Sequence, residues 1–258
     1  MATASPKDNR WMLLSLFFLL LFLGFWALIS LNTKIPSPLS VAKVAGEFLA
    51  HPFYDNGPND KGIGILTGYS LLRLSAGFTV GALLGIFWGV VLGLNPMLFK
   101  ALNPFIQILR AISPIAWMPL LLYSVRDSGV TALLVVIMAS LWPTLANTAF
   151  GVAHIKKDYI NVANILQLNP IAKVMKVVLP AAGPAIVAGL KISMGAAWVA
   201  IVPAEALLGS LGLGYFVWNE WNNLSLPSVI FAILLIGIVG VVIDLLFSKL
   251  AGKLAYTD

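Results

Sequence analysis

The chain has 258 residues, 60% of them hydrophobic and only 10% charged, whereas soluble domains average about 25% charged residues. A soluble fold of this size has nowhere to hide so much apolar surface, because much of its area faces water; the bilayer is the expected solvent. The lack of cysteine excludes disulfide and thiol chemistry. The net charge of +6 sits at the ends of apolar runs rather than in a basic stripe, which points to membrane topology and away from nucleic acid.

A transmembrane helix needs roughly 20 apolar residues. On that ruler the sequence predicts an all-α, polytopic protein with six spans: 11–31, 65–94, 104–125, 130–150, 181–209 and 228–250. The first run, Trp11 to Leu31, is longer than a signal-peptide core of about 7–15 residues and has no clear Ala-x-Ala site after it, so it reads as a retained helix. Residues 32–64 are polar and rich in Pro, Gly and Asn. Within them, Val41, Val44, Ala45 and Phe48 recur at helical spacing, which predicts a short amphipathic helix over 37–49. No separate soluble domain is expected, so residues 1–258 read as one membrane domain with a polar loop at 151–180.

The second span carries Gly77, Gly81, Gly85, Gly89 and Gly93, each four residues apart. Such a ladder lets another helix backbone approach closely. It serves either packing inside the chain or a seam between two copies. The third span contains Pro104, Pro114 and Pro119. Proline removes a backbone hydrogen bond and kinks a helix, and transporters tolerate the defect where it lines a cavity or is buried in protein. Ser113, Pro114, Trp117 and Met118 are therefore candidates for a pathway wall, against the plainer reading of a kink that fits its neighbours.

Basic residues set orientation. With the N-terminus in the cytoplasm, Lys7, Arg10, Lys100, Lys156, Lys157, Lys173, Lys176, Lys249 and Lys253 lie inside, against Lys34, Lys43, Lys61 and Arg126 outside. That excess places both termini and the 151–180 loop in the cytoplasm. Arg73, Arg110, Lys191, Glu205 and Asp244 fall within or at the ends of spans. They are functional candidates, or else interface anchors and structural ion pairs.

No Gly-x-x-x-x-Gly-Lys-Ser/Thr phosphate loop is present, so ATP hydrolysis by that route is excluded. No Gly-x-Ser-x-Gly elbow or His-Glu-x-x-His pair is present either. His51 and His154 lie in different polar segments and form no metal site together. Gly62-x-Gly64 and Gly212-x-Gly214 lack the third glycine of a dinucleotide fingerprint and read as turns. The chain reads as a transport subunit rather than an enzyme, with no cofactor of its own. A stand-alone secondary transporter would show internal repeats, and none is visible.

The loop from Asp158 to Leu179-Pro180 resembles the EAA loop of ABC importer permeases. Counted back from Leu179-Pro180, Asn161 takes the Glu place, Val162 and Ala163 the two Ala places, and Gln167 the Gly place; only the second Ala and the Leu-Pro match. Leu71-Leu-Arg-Leu-Ser-Ala-Gly-Phe78, the glycine ladder and Ile112-Ser-Pro-Ile-Ala-Trp-Met-Pro119 are similar to the nitrate/sulfonate/taurine branch. So are Trp142-Pro-Thr-Leu-Ala-Asn-Thr148 and Gly189-Leu-Lys-Ile-Ser-Met-Gly-Ala-Ala-Trp198. Tyr159-Ile-Asn-Val-Ala163, Ala204-Glu205 and the run from Gly212 to Asn222 resemble most the nitrate and bicarbonate permeases of cyanobacteria.

The resemblance implies a type I importer permease in a bacterial inner membrane, moving a small anion, nitrate or nitrite before bicarbonate, cyanate or a sulfonate. It implies two permease copies, two ATPase subunits that carry ATP and Mg, and a periplasmic or lipid-anchored solute-binding protein. It also implies a coupling helix over 159–170 that docks on the ATPase. Tyr159, Val162, Ala163 and Leu166 would form its sticky face, Asn161 and Gln167 would hold the motif positions, and Pro170 would end it. Ala163 would matter by being small, so that Ala163→Trp holds the helix off its groove. The expected pathway joins Ser113, Pro114, Trp117 and Met118 to Met194 and Trp198, with Arg110 or Lys191 attracting the anion near the inner mouth.

Overall fold

The structure is a computed structural model that describes residues 10–254. Among these residues the protein is helical, with one isolated antiparallel bridge between Asp55 and Lys61. The elements are α1 (Arg10–Asn32), α2 (Pro38–Ala50), α3 (Ile63–Leu94), α4 (Pro96–Ala111), a 3₁₀ turn (Pro114–Trp117), α5 (Met118–Val125), α6 (Ser128–Ala153) and α7 (Lys157–Ile165). They continue with α8 (Pro170–Lys173), a π turn (Val174–Val178), α9 (Leu179–Leu208), α10 (Leu213–Asn222) and α11 (Leu226–Leu254).

Among the described residues, five stretches are long and apolar enough to cross a membrane: Met12–Asn32, Ile63–Leu94, Ser128–Ala153, Pro170–Leu208 and Leu226–Lys249. The expected third span is instead a bent pair. Helix α4 and the segment Pro114–Val125 meet at 86°. Of the three prolines, Pro114 makes the break: Ile112 and Ser113 are extended, at ψ 124° and 131°, because the residue before proline avoids the helical region. Pro104 sits inside α4 without ending it.

The expected fifth span starts too late. Its helix runs unbroken from Pro170 to Leu208, 39 residues, or about 58 Å at 1.5 Å per residue. That is nearly twice the hydrocarbon thickness of about 30 Å. The extension absorbs the last third or so of the predicted polar loop, residues 170–180, and the π turn marks where the two parts join.

Helices α3, α6 and α9 form the core. The glycine ladder of α3 lies along Val136, Ser140, Thr144, Thr148 and Val152 of α6, in constant register, so α3 and α6 run parallel. A methyl group at Gly77, Gly85, Gly89 or Gly93 would fall 2.5–2.8 Å from side-chain carbons of Val136, Thr144, Thr148 or Val152, and one at Gly81 would strike Ser140. The ladder is thus spent inside one chain, and the alternative of a seam between two copies is set aside. Helix α9 runs antiparallel to α6, with Gly189 against Asn147 and Gly151 against Ala185. Ser193 Oγ donates to the Ser140 carbonyl at 2.8 Å and shares a 2.6 Å hydrogen bond with Thr144 Oγ1. Such buried hydroxyls join helices where water is absent.

Helix α2 forms where the amphipathic pattern predicts it. Ser37 caps it by accepting from the Ser40 amide at 3.3 Å. Its apolar face, with Val41, Ala45 and Phe48, packs on protein: Phe48 stacks on Phe231 of α11 and meets Phe216 of α10 edge-on. Trp26 Nε1 of α1 donates to the Pro36 carbonyl at 2.9 Å, and this ties the end of α1 to α2. Apart from Trp26, the side chains of α1 from Met12 to Leu28 are exposed.

Candidate coupling surface and transport path

Helix α7 begins with Asp158 in its first turn, where a carboxylate suits the helix dipole. It ends at Ile165, five residues before Pro170. Its terminator is a Schellman motif: the Leu168 amide donates to the Ala163 carbonyl at 3.1 Å and the Gln167 amide to the Asn164 carbonyl at 3.0 Å. Gln167 holds the left-handed position, at φ +52°. This is the place taken by glycine in the EAA pattern, and the backbone explains why glycine suits it. The expectation that Pro170 ends the coupling helix is corrected. Pro170 opens α8 at its first position, capped by Asn169, whose side chain accepts from the Ala172 amide at 2.7 Å.

The face of α7 also differs from the expected one. Ala163 is 1% exposed, on the side that packs against the π turn of the same chain. Ile160, half-buried, joins Val174 and Val178 in one apolar cluster. The residues left outside are Tyr159, Val162 and Leu166, at 52%, 53% and 65% exposure. Their spacing of three and four residues puts them in one stripe. Asn161 and Gln167 are also exposed. Ala163 is therefore a seat for α7 on its own body, and a larger residue there would unseat the helix before it met a partner. Lys173 Nζ holds the same arrangement from α8 by donating to Asn164 Oδ1 at 2.9 Å.

The pathway candidates divide between two places. Ser113 is exposed at the break, with Pro114 and Trp117 half-buried beside it. The Trp117 indole N–H is buried without a partner among the described residues. Met118 packs with Ile115 and Leu121 on Ala132, Val135, Ala139, Ala200 and Ala204. Met194 and Trp198 lie elsewhere, in the cluster shared with α11, α2 and α3. Trp198 is 8% exposed, with its indole against Gly240. Within one chain the broken span and Met194 and Trp198 thus lie in separate apolar clusters. Their apolar bulk fills the α9–α11 contact, and the side of α9 left uncovered carries Ala188, Ile192, Gly195 and Val199 instead. Lys191 is exposed on α9. Arg110 lines a groove of about 330 Å³ between α4 and α6, with Asn103 and Gln107.

A second polar centre joins residues far apart in the chain. Glu205 of α9 is fully buried and ion-pairs with Arg73 of α3. Ser70 Oγ donates to Glu205 Oε2 at 2.7 Å, and the Gly214 amide donates to the same oxygen at 3.2 Å. Arg73 Nη1 also donates to the Leu211 carbonyl at 3.2 Å, and the Leu213 amide donates to Ser70 Oγ at 2.9 Å. The start of α10 is thereby clamped onto α3 and α9. Gly212 and Gly214 have no room for a Cβ, because Glu205 and the Val202 carbonyl occupy that space. The sequence offers Arg73 and Glu205 as candidates for pairing. Nothing in it names Ser70 or the two glycine contacts, which only the fold brings together.

Comparison with known proteins completes the picture. The sequence pattern of the family described as "Binding-protein-dependent transport system inner membrane component" matches residues 81–256. The nitrate import permease protein NrtB of Leptolyngbya laminosa is 38% identical over 92% of this chain and 85% of its own length. The bicarbonate transport system permease protein CmpB of Synechococcus elongatus is 40% identical over 86% of this chain and 82% of its own. Among solved structures, an inward-facing form of the MetNI methionine ABC transporter superposes with a TM-score of 0.63 at 17% identity, covering 73% of this chain and 94% of the other. That likeness establishes the type I ABC importer permease fold.

Proposed function

We propose that this chain, which belongs to the family of binding-protein-dependent transport system inner membrane components, is the permease subunit of an ATP-driven importer for nitrate or bicarbonate. The observation that carries the substrate class is the identity of 37–40%, over most of the chain, to permeases named for one or the other of these anions. Both are small, monovalent and planar, and nitrite shares all three properties.

Two copies of the chain enclose the path, two ATPase subunits holding ATP and Mg sit at the α7 end, and a solute-binding protein delivers from the α10 end. The α7 end carries Lys156, Lys157, Lys173 and Lys176, with Lys100 at the α3–α4 corner beside it. Lys34, Lys43, Lys61 and Arg126 lie at the other. With Lys7, Arg10, Lys249 and Lys253 added on the side of the termini, the excess of basic residues supports a topology in which the α7 end and both termini face the cytoplasm of a bacterial inner membrane. Closure of the ATPase pair pushes on Tyr159, Val162 and Leu166. Because α7 is seated through Ala163 and Ile160 on the π turn, the push passes into α8–α9, a single helix that reaches the opposite end. The chain contributes no covalent chemistry in this cycle.

The test is uptake. The complex purified through this chain, reconstituted with ATP inside the vesicles and the solute-binding protein outside, accumulates labelled nitrate or bicarbonate. Competition with the other anion, and with nitrite, cyanate and taurine, orders their preference. If ATPase subunits do not co-purify and none of these anions is taken up, the proposal fails.

A further inference from the structure

Helix α4 carries Lys100, Asn103, Gln107 and Arg110 at spacings of three, four and three residues, so the four side chains share one face. Its other side is apolar and exposed, with Met97, Phe105 and Ile108. Among the described residues, no side chain or carbonyl pairs with any of the four polar groups. Asn103, Gln107 and Arg110 line the 330 Å³ groove, whose wall on α6 is Leu145 and Ala146. Ala146 is seven residues from the end of α6, or about 10 Å along its axis, so the groove lies against the half of α6 nearest α7. Gln107 and Arg110 are exposed and Asn103 is half-buried, so their polar groups face the open groove. Their N–H donors are therefore available to water or to a ligand in the groove.

We propose that this groove is a transit site for a small planar monovalent oxyanion, held by Arg110 with help from Gln107 and Asn103; the assignment rests on the import function proposed above. A guanidinium presents a flat fork of N–H donors that matches two coplanar oxygen atoms. The two amides lie one and two turns back along the same face and supply N–H donors to the remaining oxygen. Their carbonyls accept the one hydroxyl that bicarbonate has and nitrate lacks. The single cation in the groove balances one negative charge. The apolar wall opposite supplies no donor, so the hold stays weak enough for release, as conduction requires. Lys100, further along the stripe toward α3, continues the positive potential out of the groove.

The chain has no cysteine, so Gln107→Cys, and Phe105→Cys on the opposite side of α4, each introduce a single thiol. Each variant complex is reconstituted, and an anionic methanethiosulfonate is applied with nitrate, with bicarbonate or with neither. The expected result is labelling at position 107 that slows about tenfold, the scale on which a local charge concentrates ions, in whichever anion the vesicles import. Labelling at position 105 is indifferent to both anions. In parallel, Arg110→Met lowers uptake about tenfold while ATPase subunits still co-purify, and Arg110→Lys restores part of it. Labelling at 107 that ignores the imported anion, or full uptake by Arg110→Met, overturns the site and leaves the import function standing. Import of neither anion by the unsubstituted complex removes the function and the site together.

Discussion

The α3–α6 seam and the outer face of α7 are both built from short motifs that read as contact surfaces, yet they have opposite fates. The seam is used up inside the chain: every rung of the glycine ladder meets a residue of α6, at distances that leave no room for a methyl group. On α7, Ala163 is taken by the chain's own π turn, whereas Tyr159, Val162 and Leu166 remain uncovered at an end where polar and basic residues collect. A small residue at regular spacing thus marks where a backbone comes close, whichever backbone that is. An apolar stripe on a helix outside the bilayer marks a surface that still lacks its partner.

The sharpest break of that contrast comes at the clamp that closes the seam's outer end. Arg73→Met leaves the fully buried Glu205 carboxylate without its cation, at a cost of about 3–5 kcal/mol. We expect loss of folded protein in detergent, followed by size-exclusion chromatography. Replacing both partners, as Arg73→Met with Glu205→Met, should recover part of the yield, because a buried pair exchanged for apolar residues is often neutral. No recovery in the double variant would mean that the hydrogen bonds to Ser70 and Gly214, rather than the ion pair, fix α10.

Next in size is the ladder itself. Gly85→Val should destabilise by about 1–3 kcal/mol through overpacking against Thr144, read as a lowered midpoint in thermal scans of the purified chain. Gly195→Val, at a site with nothing within 4 Å of its Cβ position, should leave the midpoint of the isolated chain unchanged. Equal effects at the two positions would erase the distinction between a filled seam and an open one.

The α7 face is tested by function rather than stability. Val162→Glu should weaken co-purification of the ATPase subunits by about tenfold, since truncating or charging an interface anchor costs 1–2 kcal/mol or more. It should leave the thermal midpoint of the isolated chain unmoved. Ala163→Trp should lower that midpoint instead, because the indole is forced against the π turn. If Val162→Glu binds its partners normally, Tyr159, Val162 and Leu166 are not the docking stripe.

How far the sequence reveals this arrangement depends on the range of the interaction. The spans are legible because bilayer thickness sets a length of apolar chain, and Pro114 announces the break because its steric rule acts on the residue before it. The 86° angle is not legible, since it depends on how α4 and α5 pack on α6. Lys173 and Lys176 disguise the extension of α9, because a hydropathy ruler ends a span at charges that a helix outside the membrane tolerates freely. On α7 the residues Tyr159, Val162, Ala163 and Leu166 all obey a helical period, and the period alone does not say that Ala163 turns inward. The Arg73–Glu205 pair spans 132 residues, and only the antiparallel return of α9 beside α3 brings it together. On α4 the polar stripe is visible in the sequence, but its significance comes from the groove and from the absence of partners.

The smallest expected effect lies at the end of α7. Gln167 adopts φ +52°, a left-handed conformation that costs a residue with a Cβ roughly 1–2 kcal/mol. The Schellman hydrogen bonds from Gln167 and Leu168 hold it there. Gln167→Gly removes the steric cost but loosens the unfolded chain, so the net gain should be a few tenths to about 1 kcal/mol. Because α7 is a short element at the edge of the helix bundle, the gain should appear locally, as slower amide hydrogen exchange at Gln167 and Leu168, with little change in the global midpoint. Gln167→Val should do the reverse, since a β-branched side chain tolerates positive φ least. The comparison also tests the coupling route. If the C-terminal turn of α7 transmits force, the glycine variant should keep its transport-coupled ATPase activity, and the valine variant should lose part of it while remaining folded. Equal exchange rates in the two variants would show that the turn is held by its packing on α8 and the π turn, and that the backbone conformation of residue 167 does not matter to it.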